Sequence, residues 1–551
     1  MIGRALALAL AWALLAAAPA VASVGPTAEE DGTLDAAATH GDARSFTYDV
    51  TSEGQVASDP AAFARTAGGI LDDRRGWSLG GSVSFSRVDS GGDFTLILAS
   101  PQAVAEAHSV CSAEYSCRVG DRIYVNDDNW RHATSAWREA GGDLSTYREY
   151  LVNHEVGHYL GFGHHDCPGT DRPAPVMQQQ SISLDGCEPT GWPSSRERAQ
   201  LGERLGVPVI PVYDWIEGDV TGDGRLDVIG FSSDTGEWVV GANSQDRFEF
   251  ATWGQFRTRD GWQTHLAADV TGDGVDEILS YHPATGAWYV GHSDGGSFTH
   301  ERWARFATST GWAEHVAGDF TGDGAHEVAS YHPSNGSWWV TGADDGTQRW
   351  ARFATRTGWQ THLAGDVTGN GADDLVSYHP RGVLWVSASD GTGFDGSRWA
   401  SYRTGAGWQT HLLADVTGDG REDVASFHPS NGTWWLARST GNTFEPTRWA
   451  RYATGTGWQT HLALDATGDG QMDLASYHPS NGTWWVAESG EEQATVRRWA
   501  TYATPTGWTH LAGAIGAERD GVASFHQGAR SWWVGASTGD AFDVGHGGDL
   551  D

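Results

Sequence analysis

The sequence contains no lysine, and only four cysteines and three methionines occur among its 551 residues. Arginine therefore carries all of the side-chain positive charge, and 71 acidic residues against 35 basic ones give a net charge of −36. A surface this acidic repels phosphate backbones and anionic lipid headgroups. We therefore expect neither a nucleic acid nor an anionic membrane as a partner.

Long apolar runs are also scarce. The main one follows Arg4, covers residues 5–18, and is followed by the small residues Ala20-Val21-Ala22. A charged start, a short apolar stretch and a small-residue cleavage site are typical of a signal peptide. We predict a signal peptide at residues 1–22 and a disordered leader at residues 23–44, with an uncleaved N-terminal anchor as the alternative. The mature protein is expected to be secreted, extracellular, monomeric and without a membrane span.

A chain of this length is too long for one hydrophobic core, so several domains are expected. Residues 45–206 alternate between strand and helix patterns, residues 207–213 read as a linker, and residues 214–551 are repetitive. All four cysteines lie in the first of these regions. We predict disulfides between Cys111 and Cys117 and between Cys167 and Cys187, one of three possible connectivities. A four-cysteine metal site is disfavoured because the cysteines lack C-x-x-C spacing.

The stretch from His154 to His164 contains the pattern of a catalytic metal site. His154 and His158 are one helical turn apart, so both imidazoles can reach one ion. Gly161 can end the helix and return the chain so that His164 supplies a third ligand. Three imidazoles leave one tetrahedral position open, as in a catalytic zinc site, and Glu155 can act as general base on a metal-bound water. We predict a zinc site of this composition.

The extended motif H-E-x-x-H-x-x-G-x-x-H resembles that of the metzincin metallopeptidases. Met177 follows His164 after a short segment, where that clan has a methionine turn beneath the zinc. The wider stretch, from Cys111 to Cys117 and from Asn153 to Gln180, is similar to the DUF3152 family of exported bacterial proteins, which are regarded as zinc metallopeptidases. The resemblance implies a metzincin-like α+β domain over about residues 45–205.

The same resemblance implies a mechanism in which Glu155 takes a proton from zinc-bound water and passes it to the leaving amine. Gln178 follows the methionine, so the tyrosine that some metzincins use as an additional ligand is missing there. His165 and Asp166, just past the third ligand, either orient a zinc imidazole or form a solvated pair.

Beyond residue 213 a segment of about fifty residues recurs seven times, which indicates a propeller or array. In one copy the predicted strands cover residues 410–416, 423–428, 433–437 and 448–453, with an Asn-Gly turn between the second and third. Four strands in each of seven units predict an all-β, seven-bladed propeller after the α+β domain.

Six of the copies contain a glycine-rich loop with oxygen-bearing side chains at positions 1, 3, 5 and 9, which suits a calcium ion. The alternative is that Asp-Gly pairs only form turns. The seventh copy, near Ala514, lacks the aspartates and is not expected to bind calcium. The predicted calcium ligands are Asp219, Thr221, Asp223, Asp227, Asp269, Thr271, Asp273, Glu277, Asp319, Thr321, Asp323, Glu327, Asp366, Thr368, Asn370, Asp374, Asp415, Thr417, Asp419, Asp423, Asp465, Thr467, Asp469 and Asp473.

These units resemble FG-GAP or VCBS repeats of extracellular propellers, which implies that calcium stabilises the blades while ligands bind elsewhere. Four copies also contain a tryptophan pair and six contain two histidines at equivalent positions, as in the copy with Trp434, Trp435, His411 and His428. We predict that these residues pack neighbouring blades together. Stacking of an exposed tryptophan on a sugar ring is the alternative.

We therefore predict a secreted zinc metalloendopeptidase that acts on a protein or peptide. Its propeller would dock it to a substrate, a glycan or a cell surface. One alternative is a non-catalytic adhesin or lectin-like protein. A second is a zinc amidase acting on cell-wall peptides.

Overall fold

The protein is described by a computed structural model that covers residues 44–550 with short gaps. The gaps are residues 171, 245–246, 257–261, 263, 284, 307–311, 313, 343–345, 354–357, 403–406, 453–456, 491–492, 504–505 and 517–518. The predicted signal peptide and nearly all of the predicted leader lie outside the described residues. No helix within the described ranges is long and apolar enough to cross a membrane.

The described part of the first domain contains five strands and six α-helices. The strands are β1 (Arg44–Glu53), β2 (Val83–Arg87), β3 (Phe94–Ala99), β4 (Cys117–Val119) and β5 (Arg122–Asn126). The helices are α1 (Pro60–Asp72), α2 (Pro101–Ala107), α3 (Asp127–His132), α4 (Ser135–Glu139), α5 (Leu144–Tyr159) and α6 (Ser195–Leu205). A 3-10 turn covers Leu79–Gly81. The α+β class predicted for this region is confirmed.

The five strands form one mixed sheet in the order β2-β1-β3-β5-β4. Neighbouring strands are parallel except that β4 runs antiparallel to β5. Strand β4 is therefore a short edge strand with one unpaired side. Helix α5 contacts both β5 and β4, so the helix that contains the histidine motif lies beside this edge.

Local capping explains where the main helices begin and end. Asp143 caps α5 by accepting from the Thr146 amide, and Ser194 forms a capping box with Glu197 at the start of α6. Helix α6 ends at Gly206, which adopts a left-handed conformation with φ +69° that glycine tolerates best.

The two predicted disulfides are present. Cys111 is bonded to Cys117, and Cys167 is bonded to Cys187. The first bond closes the short loop that leads into β4. The second holds together the segment that follows the histidine motif.

Seven four-stranded antiparallel sheets form the second domain, which confirms the predicted seven-bladed propeller. The strands, from first to outermost, are as follows: blade 1, Asp214–Gly218, Asp227–Phe231, Glu237–Asn243 and Phe248–Gln255; blade 2, Thr264–Ala268, Glu277–His282, Ala287–Ser293 and Phe298–Arg305; blade 3, Glu314–Gly318, Glu327–His332, Ser337–Gly342 and Gly346–Arg352; blade 4, Thr361–Gly365, Asp374–His379, Val383–Ser389 and Phe394–Ser401; blade 5, Thr410–Ala414, Asp423–His428, Thr433–Ser439 and Phe444–Arg451; blade 6, Thr460–Leu464, Asp473–His478, Thr483–Glu488 and Thr495–Thr501; blade 7, Trp508–Gly513, Gly521–His526, Ser531–Ser537 and Phe542–Asp549.

The ring closes by packing between whole blades, because every blade consists of consecutive strands. The first strand of each blade contacts the first strand of the next, and blade 7 contacts blade 1 in the same way. The outermost strand of blade 5 was predicted at residues 448–453 but covers Phe444–Arg451. Pro446 lies in this strand, and proline is tolerated there because an outermost strand has one unpaired edge.

The predicted linker is packed against both domains. Val207 and Val209 contact the core of the first domain, and the Ile210 amide donates to the Leu79 carbonyl at 3.0 Å. Arg198 of α6 forms an ion pair with Asp234, which lies in the hairpin between the second and third strands of blade 1. Both side chains of this pair are buried, at 4% and 6% exposure.

Candidate metal centre and cleft

The structure brings the three predicted metal ligands together. His154 and His158 lie on consecutive turns of α5, and the helix ends one residue after His158. Gly161 follows with φ +93°, a conformation that returns the chain toward the helix and that other residues rarely adopt. One ring nitrogen from each of His154, His158 and His164 lies within 4.8 Å of the others. In the described part of the chain, this is the only such cluster of histidine, cysteine or acidic side chains.

Backbone carbonyls orient two of these imidazoles. The Nδ1 atom of His154 lies 2.8 Å from the Val176 carbonyl oxygen, and that of His158 lies 3.0 Å from the Phe162 carbonyl oxygen. A carbonyl can only accept, so Nδ1 is the protonated nitrogen in both rings and Nε2 keeps its lone pair. A hydrogen bond of this kind fixes both the tautomer and the orientation of a metal-binding histidine.

Burial keeps the cluster neutral. Desolvation lowers the pKa of His154 to about 3, and the neighbouring His158 and His164 add to the shift. The pKa values of His158 and His164 are also lowered, mainly by desolvation. Imidazoles that are neutral at pH 7 are in the form that binds metal ions.

Glu155 is buried beside the histidines on the same helix. Desolvation raises the pKa of its carboxyl group to about 8, and the positive charge of Arg118 opposes that shift. Arg118 lies on the edge strand β4 and donates to the His158 carbonyl at 2.9 Å. The pair of Glu155 and Arg118 therefore connects the histidine helix electrostatically to the edge of the sheet.

An open cleft of about 400 Å³ contains the histidines and Glu155. One wall is the disulfide loop and edge strand, including Tyr115 and Arg118, and another is the segment after Met177. Val110 and Ile182 lie at this cleft and are the large apolar side chains most exposed within the described residues, at 77% and 49%. Sequence reasoning missed these wall residues because only the fold brings the disulfide loop next to α5.

Met177 lies beneath the histidine helix, as predicted. It is fully buried, and a β-carbon on Gly157 would lie 2.3 Å from its sulfur. The glycine between His154 and His158 therefore gives the methionine room to pack against the helix. Gln178 is buried as well, and its side chain donates to the Leu184 carbonyl at 2.8 Å.

Glu197 of α6 ties the methionine segment to the rest of the domain. Its buried carboxylate accepts from the Val176 and Met177 amides at 3.1 and 3.0 Å, and His165 Nδ1 lies 3.0 Å from it. The His165 ring therefore contacts the carboxylate that holds the methionine segment, and its role in orienting a zinc imidazole stays a prediction. Asp166 is exposed, which fits the solvated alternative.

The predicted calcium loops share one hydrogen-bond pattern, seen clearly in blade 1. The Asp219 carboxylate accepts from the amides of residues 222, 223 and 224 at 2.7, 3.1 and 2.7 Å. Asp227 at position 9 accepts from the Thr221 amide at 3.0 Å. Asp223 accepts from the amide two residues later at 3.0 Å. Among the described residues, no three loop carboxylates converge as the three histidines do.

Acidic side chains also connect neighbouring loops, which the sequence did not reveal. The Asp276 carboxylate of blade 2 accepts from the Asp219 amide of blade 1 at 2.8 Å. Asp373 and Asp520 make the same contact with the amides of Asp319 and Asp465. Each of these carboxylates connects two blades, so some of the acidic residues of the propeller stabilise the contacts between neighbouring blades.

Comparison with known proteins gives family matches for two parts of the chain. Residues 27–192 match the family described as "Protein of unknown function (DUF3152)", and residues 219–280 and 415–476 match the FG-GAP-like repeat. No curated protein sequence matches this chain.

Solved structures similar to this chain include a lectin from Agrocybe aegerita, studied for specific recognition of non-reducing terminal N-acetylglucosamine. The two are 18% identical with a TM-score of 0.51, over 60% of this chain and 93% of the lectin. Virginiamycin B lyase from Staphylococcus aureus is 7% identical with a TM-score of 0.36, over 61% of this chain and 99% of the lyase. At these identities the likeness to the lectin concerns the fold alone, and that to the lyase carries no argument. The chain thus joins a region matching the DUF3152 family to a seven-bladed propeller with FG-GAP-like repeats.

Proposed function

We propose that the first domain is a metzincin-like zinc endopeptidase that hydrolyses peptide bonds outside the cell. The observation that carries the proposal is the convergence of His154, His158 and His164 beside the buried Glu155 in an open cleft. Three neutral imidazoles suit zinc, whereas calcium and magnesium prefer oxygen ligands. The residues present therefore fit a zinc ion.

A bound zinc ion would polarise a substrate carbonyl and lower the pKa of a water ligand. The chain itself supplies the proton transfer. Burial raises the pKa of Glu155 to about 8, so the group can hold a proton near neutral pH. Its carboxylate form would accept that proton from water, and the acid form would release it to the leaving amine.

The edge strand β4 supplies a binding mode for an extended peptide. A peptide can add to an unpaired strand edge through main-chain hydrogen bonds, with side chains directed to alternate faces. Arg118 lies on β4 and lines the cleft, so the edge and the histidines face the same space. Val110 and Ile182 offer apolar contacts to substrate side chains at the cleft rim.

We also propose that the propeller binds a glycan or a surface and brings the peptidase to it. The lectin from Agrocybe aegerita, which is similar in fold over 60% of this chain, recognises non-reducing terminal N-acetylglucosamine. A non-catalytic adhesin would have the same binding role. The two hypotheses therefore differ in whether the histidine cleft is catalytic, and they assign the same role to the propeller.

The six glycine-rich loops are proposed to bind calcium. The position 9 carboxylates are deeply buried, and desolvation raises the pKa of Asp227, Asp374 and Asp423 to about 6. A carboxylate has about four acceptor sites, so the amide contacts leave capacity for a cation. A calcium ion would offset the cost of burying these charges.

The peptidase proposal is tested by incubating a mixed peptide library with purified chain lacking residues 1–22. The Glu155→Gln variant is compared at equal zinc content, and Glu139→Gln, an exposed carboxylate of α4, is the matched control. We expect cleavage by the parent and the control, and a loss of at least about 100-fold in Glu155→Gln. Equal cleavage by all three contradicts the proposal.

Cell-wall fragments are assayed beside the library. Cleavage of these fragments without peptide-library cleavage would support the amidase instead. No cleavage of either substrate by zinc-loaded protein would support the adhesin.

A further inference from the structure

Blade 4 contains a pocket of about 250 Å³ that is lined mainly by aromatic rings. Its walls are Phe353 and Trp359 from the connection between blades 3 and 4, and Trp385 from the third strand of blade 4. His379 and Arg398 complete the lining, together with residues of the adjacent hairpin. The proposed peptidase and calcium sites use none of these residues.

Equivalent residues recur in six of the seven blades. Each set begins with an aromatic residue that follows the outermost strand of the preceding blade and a tryptophan in the connection to the next blade. A histidine ends the second strand of that blade, and an aromatic residue lies in its third strand. The fifth member is a basic residue on the outermost strand, paired across the sheet with the aromatic residue of the third strand. We call these six sets the aromatic pockets. They are Phe256, Trp262, His282, Tyr289 and Arg302; Phe306, Trp312, His332, Trp339 and Arg349; Phe353, Trp359, His379, Trp385 and Arg398; Tyr402, Trp408, His428, Trp435 and Arg448; Tyr452, Trp458, His478, Trp485 and Arg498; and Tyr502, Trp508, His526, Trp533 and His546.

The two residues of each tryptophan pair have different surroundings. Trp434, the first of its pair, is fully buried and packs against His461 of the next blade with ring centroids 5.0 Å apart. Trp435, the second, is only partly buried and lies at the pocket. Successive strand residues point to opposite faces, so the first ring is in the core while the second borders solvent. The predicted packing of blades therefore holds for the first residue, while the second packs at the edge of a core cluster shared by two blades and also borders solvent.

Blade 1 shows that the pocket residues are not needed to pack a blade. It keeps the buried first tryptophan, Trp238, but has Val239 at the position of Trp385. It also has Ser232 and Thr252 at the positions of His379 and Arg398. The two remaining positions, those of Phe353 and Trp359, are Leu550 and Val212.

The first domain attaches to the hairpins of blade 1, which lacks the aromatic set, and of blade 7. Arg198 forms its buried ion pair with Asp234 in the blade 1 hairpin. Arg530 of the blade 7 hairpin donates to the Pro211 carbonyl at 3.0 Å, and Arg74 donates to the Gly528 carbonyl at 3.0 Å. The pockets of the other blades lie at the equivalent hairpins, on the same face of the propeller. Blade 1, whose hairpin carries the buried ion pair, therefore lacks the aromatic set, whereas blade 7 keeps the set and also contacts the first domain through its hairpin.

The chemistry of the pockets favours one class of ligand. In blade 4 the rings of Trp359 and Trp385 meet at 64°, and in blade 5 those of Trp408 and Trp435 meet at 86°, so each pair forms an apolar corner. Arginine and histidine supply hydrogen-bond donors at the edge, and no carboxylate lines the blade 4 pocket. A ligand that presents an apolar face and several acceptor oxygens fits this combination, whereas a cation does not.

We propose that the six aromatic pockets are carbohydrate-binding sites, each of which takes one pyranose unit. The C–H face of the sugar packs on the aromatic rings, and its hydroxyl oxygens accept from the histidine and the basic residue of each set. Repetition suits a glycan that presents many copies of the same sugar, because multivalent attachment multiplies weak single-site affinities. This proposal deepens the binding role given to the propeller and is independent of peptidase activity.

The test uses the full mature chain carrying Glu155→Gln, so that self-cleavage does not interfere. Glucose, galactose, mannose, N-acetylglucosamine, N-acetylgalactosamine and glucuronic acid are each presented on a polyacrylamide carrier. Binding is measured by surface plasmon resonance, and the number of sites is measured by calorimetry with the free sugar that binds. We expect saturable binding of at least one sugar, with up to six sites per chain.

The matched variant converts blade 4 to the residues found naturally in blade 1: His379→Ser, Trp385→Val and Arg398→Thr. These residues occur in a folded blade of the same protein, so the change is expected to leave the propeller folded. We expect this variant to lose one site, and conversion of all six pockets to abolish binding while peptide hydrolysis in the Glu155 parent is retained. Absence of binding to every sugar would overturn the proposal. It would also be overturned if binding were unchanged after all six conversions, or if the chain bound peptides that free sugar did not displace.

Discussion

Gly157 faces Met177 so closely that a methyl group at position 157 would lie 2.3 Å from the methionine sulfur and 2.9 Å from the Trp77 ring. This glycine lies between two of the three histidines, in the last turn of α5, where glycine is less favourable than alanine. Met177 can therefore pack against the helix only because position 157 is a glycine. The positions of the two flanking histidines depend on this contact.

Gly157→Ala is expected to destabilise the first domain by about 1–3 kcal/mol, because overpacking a buried contact forces neighbouring side chains to move. Zinc affinity should fall as well, since the shift is transmitted to the flanking histidines. Gly69→Ala in α1 is the control, because no described atom lies within 4 Å of its β-carbon position. This control substitution should raise the free energy of unfolding of the first domain by up to about 1 kcal/mol. Equal effects of the two changes, measured by denaturant unfolding, would contradict this account.

Asp234→Asn is expected to loosen the junction between the domains. The change leaves the buried Arg198 guanidinium without its carboxylate, and breaking a buried ion pair in this way costs about 3–5 kcal/mol. Limited proteolysis should then cut within residues 207–213 faster than in the parent. The control is Asp543→Asn, an exposed aspartate on the outermost strand of blade 7. Unchanged cleavage of the Asp234 variant would show that other contacts hold the junction.

The propeller is expected to lose stability in acid through a ring of buried histidines. Desolvation lowers their pKa to about 3, or about 4 for His411, so below pH 6.5 the unfolded chain binds more protons than the folded chain. Stability should be fully present above about pH 6.5 and fall toward pH 4, by up to about 1.4 kcal/mol per pH unit for each histidine. The six residues are His265, His315, His362, His411, His461 and His510.

His411→Gln tests that dependence. The free energy of unfolding of this variant should fall less steeply with decreasing pH than that of the parent, because one of the six buried histidines is missing. His132→Gln, on the exposed surface of α3, should keep the pH dependence of the parent. Thermal or denaturant unfolding between pH 4 and 7 gives the comparison. An identical slope in the His411 variant would contradict the assignment.

Calcium is expected to stabilise the propeller at neutral pH. One ion bound at hundredfold excess over its Kd adds about 2.7 kcal/mol. Asp423→Asn should reduce the calcium-dependent rise in Tm, because Asp423 is fully buried at position 9 of its loop. Asp395→Asn, on an outermost strand, is the control. A Tm that does not respond to calcium would favour the turn-forming alternative.

Much of the fold could be predicted because local patterns determine it. The capping residues of α5 and α6, the Asn-Gly hairpins and the fifty-residue period each fix an element over a few residues. The three histidines and Met177 could be found for the same reason, because their spacing along the chain carries the signal.

Contacts between distant segments were not predictable in this way. The position of Arg118 and Val110 at the cleft depends on how β4 packs beside α5, and the contact of His165 with Glu197 joins residues that are 32 positions apart. The tryptophan pairs are an intermediate case. Strand alternation alone implies that the two rings point to opposite faces, whereas the structure was needed to show which ring borders solvent.

The central claim is that His154, His158 and His164 hold one zinc ion beside Glu155. The most direct measurement is anomalous diffraction at the zinc edge from crystals of the mature chain grown with zinc. We predict one strong peak within coordination distance of all three histidines, and its loss in His158→Ala. An absent peak, or one located only elsewhere in the chain, would contradict the claim.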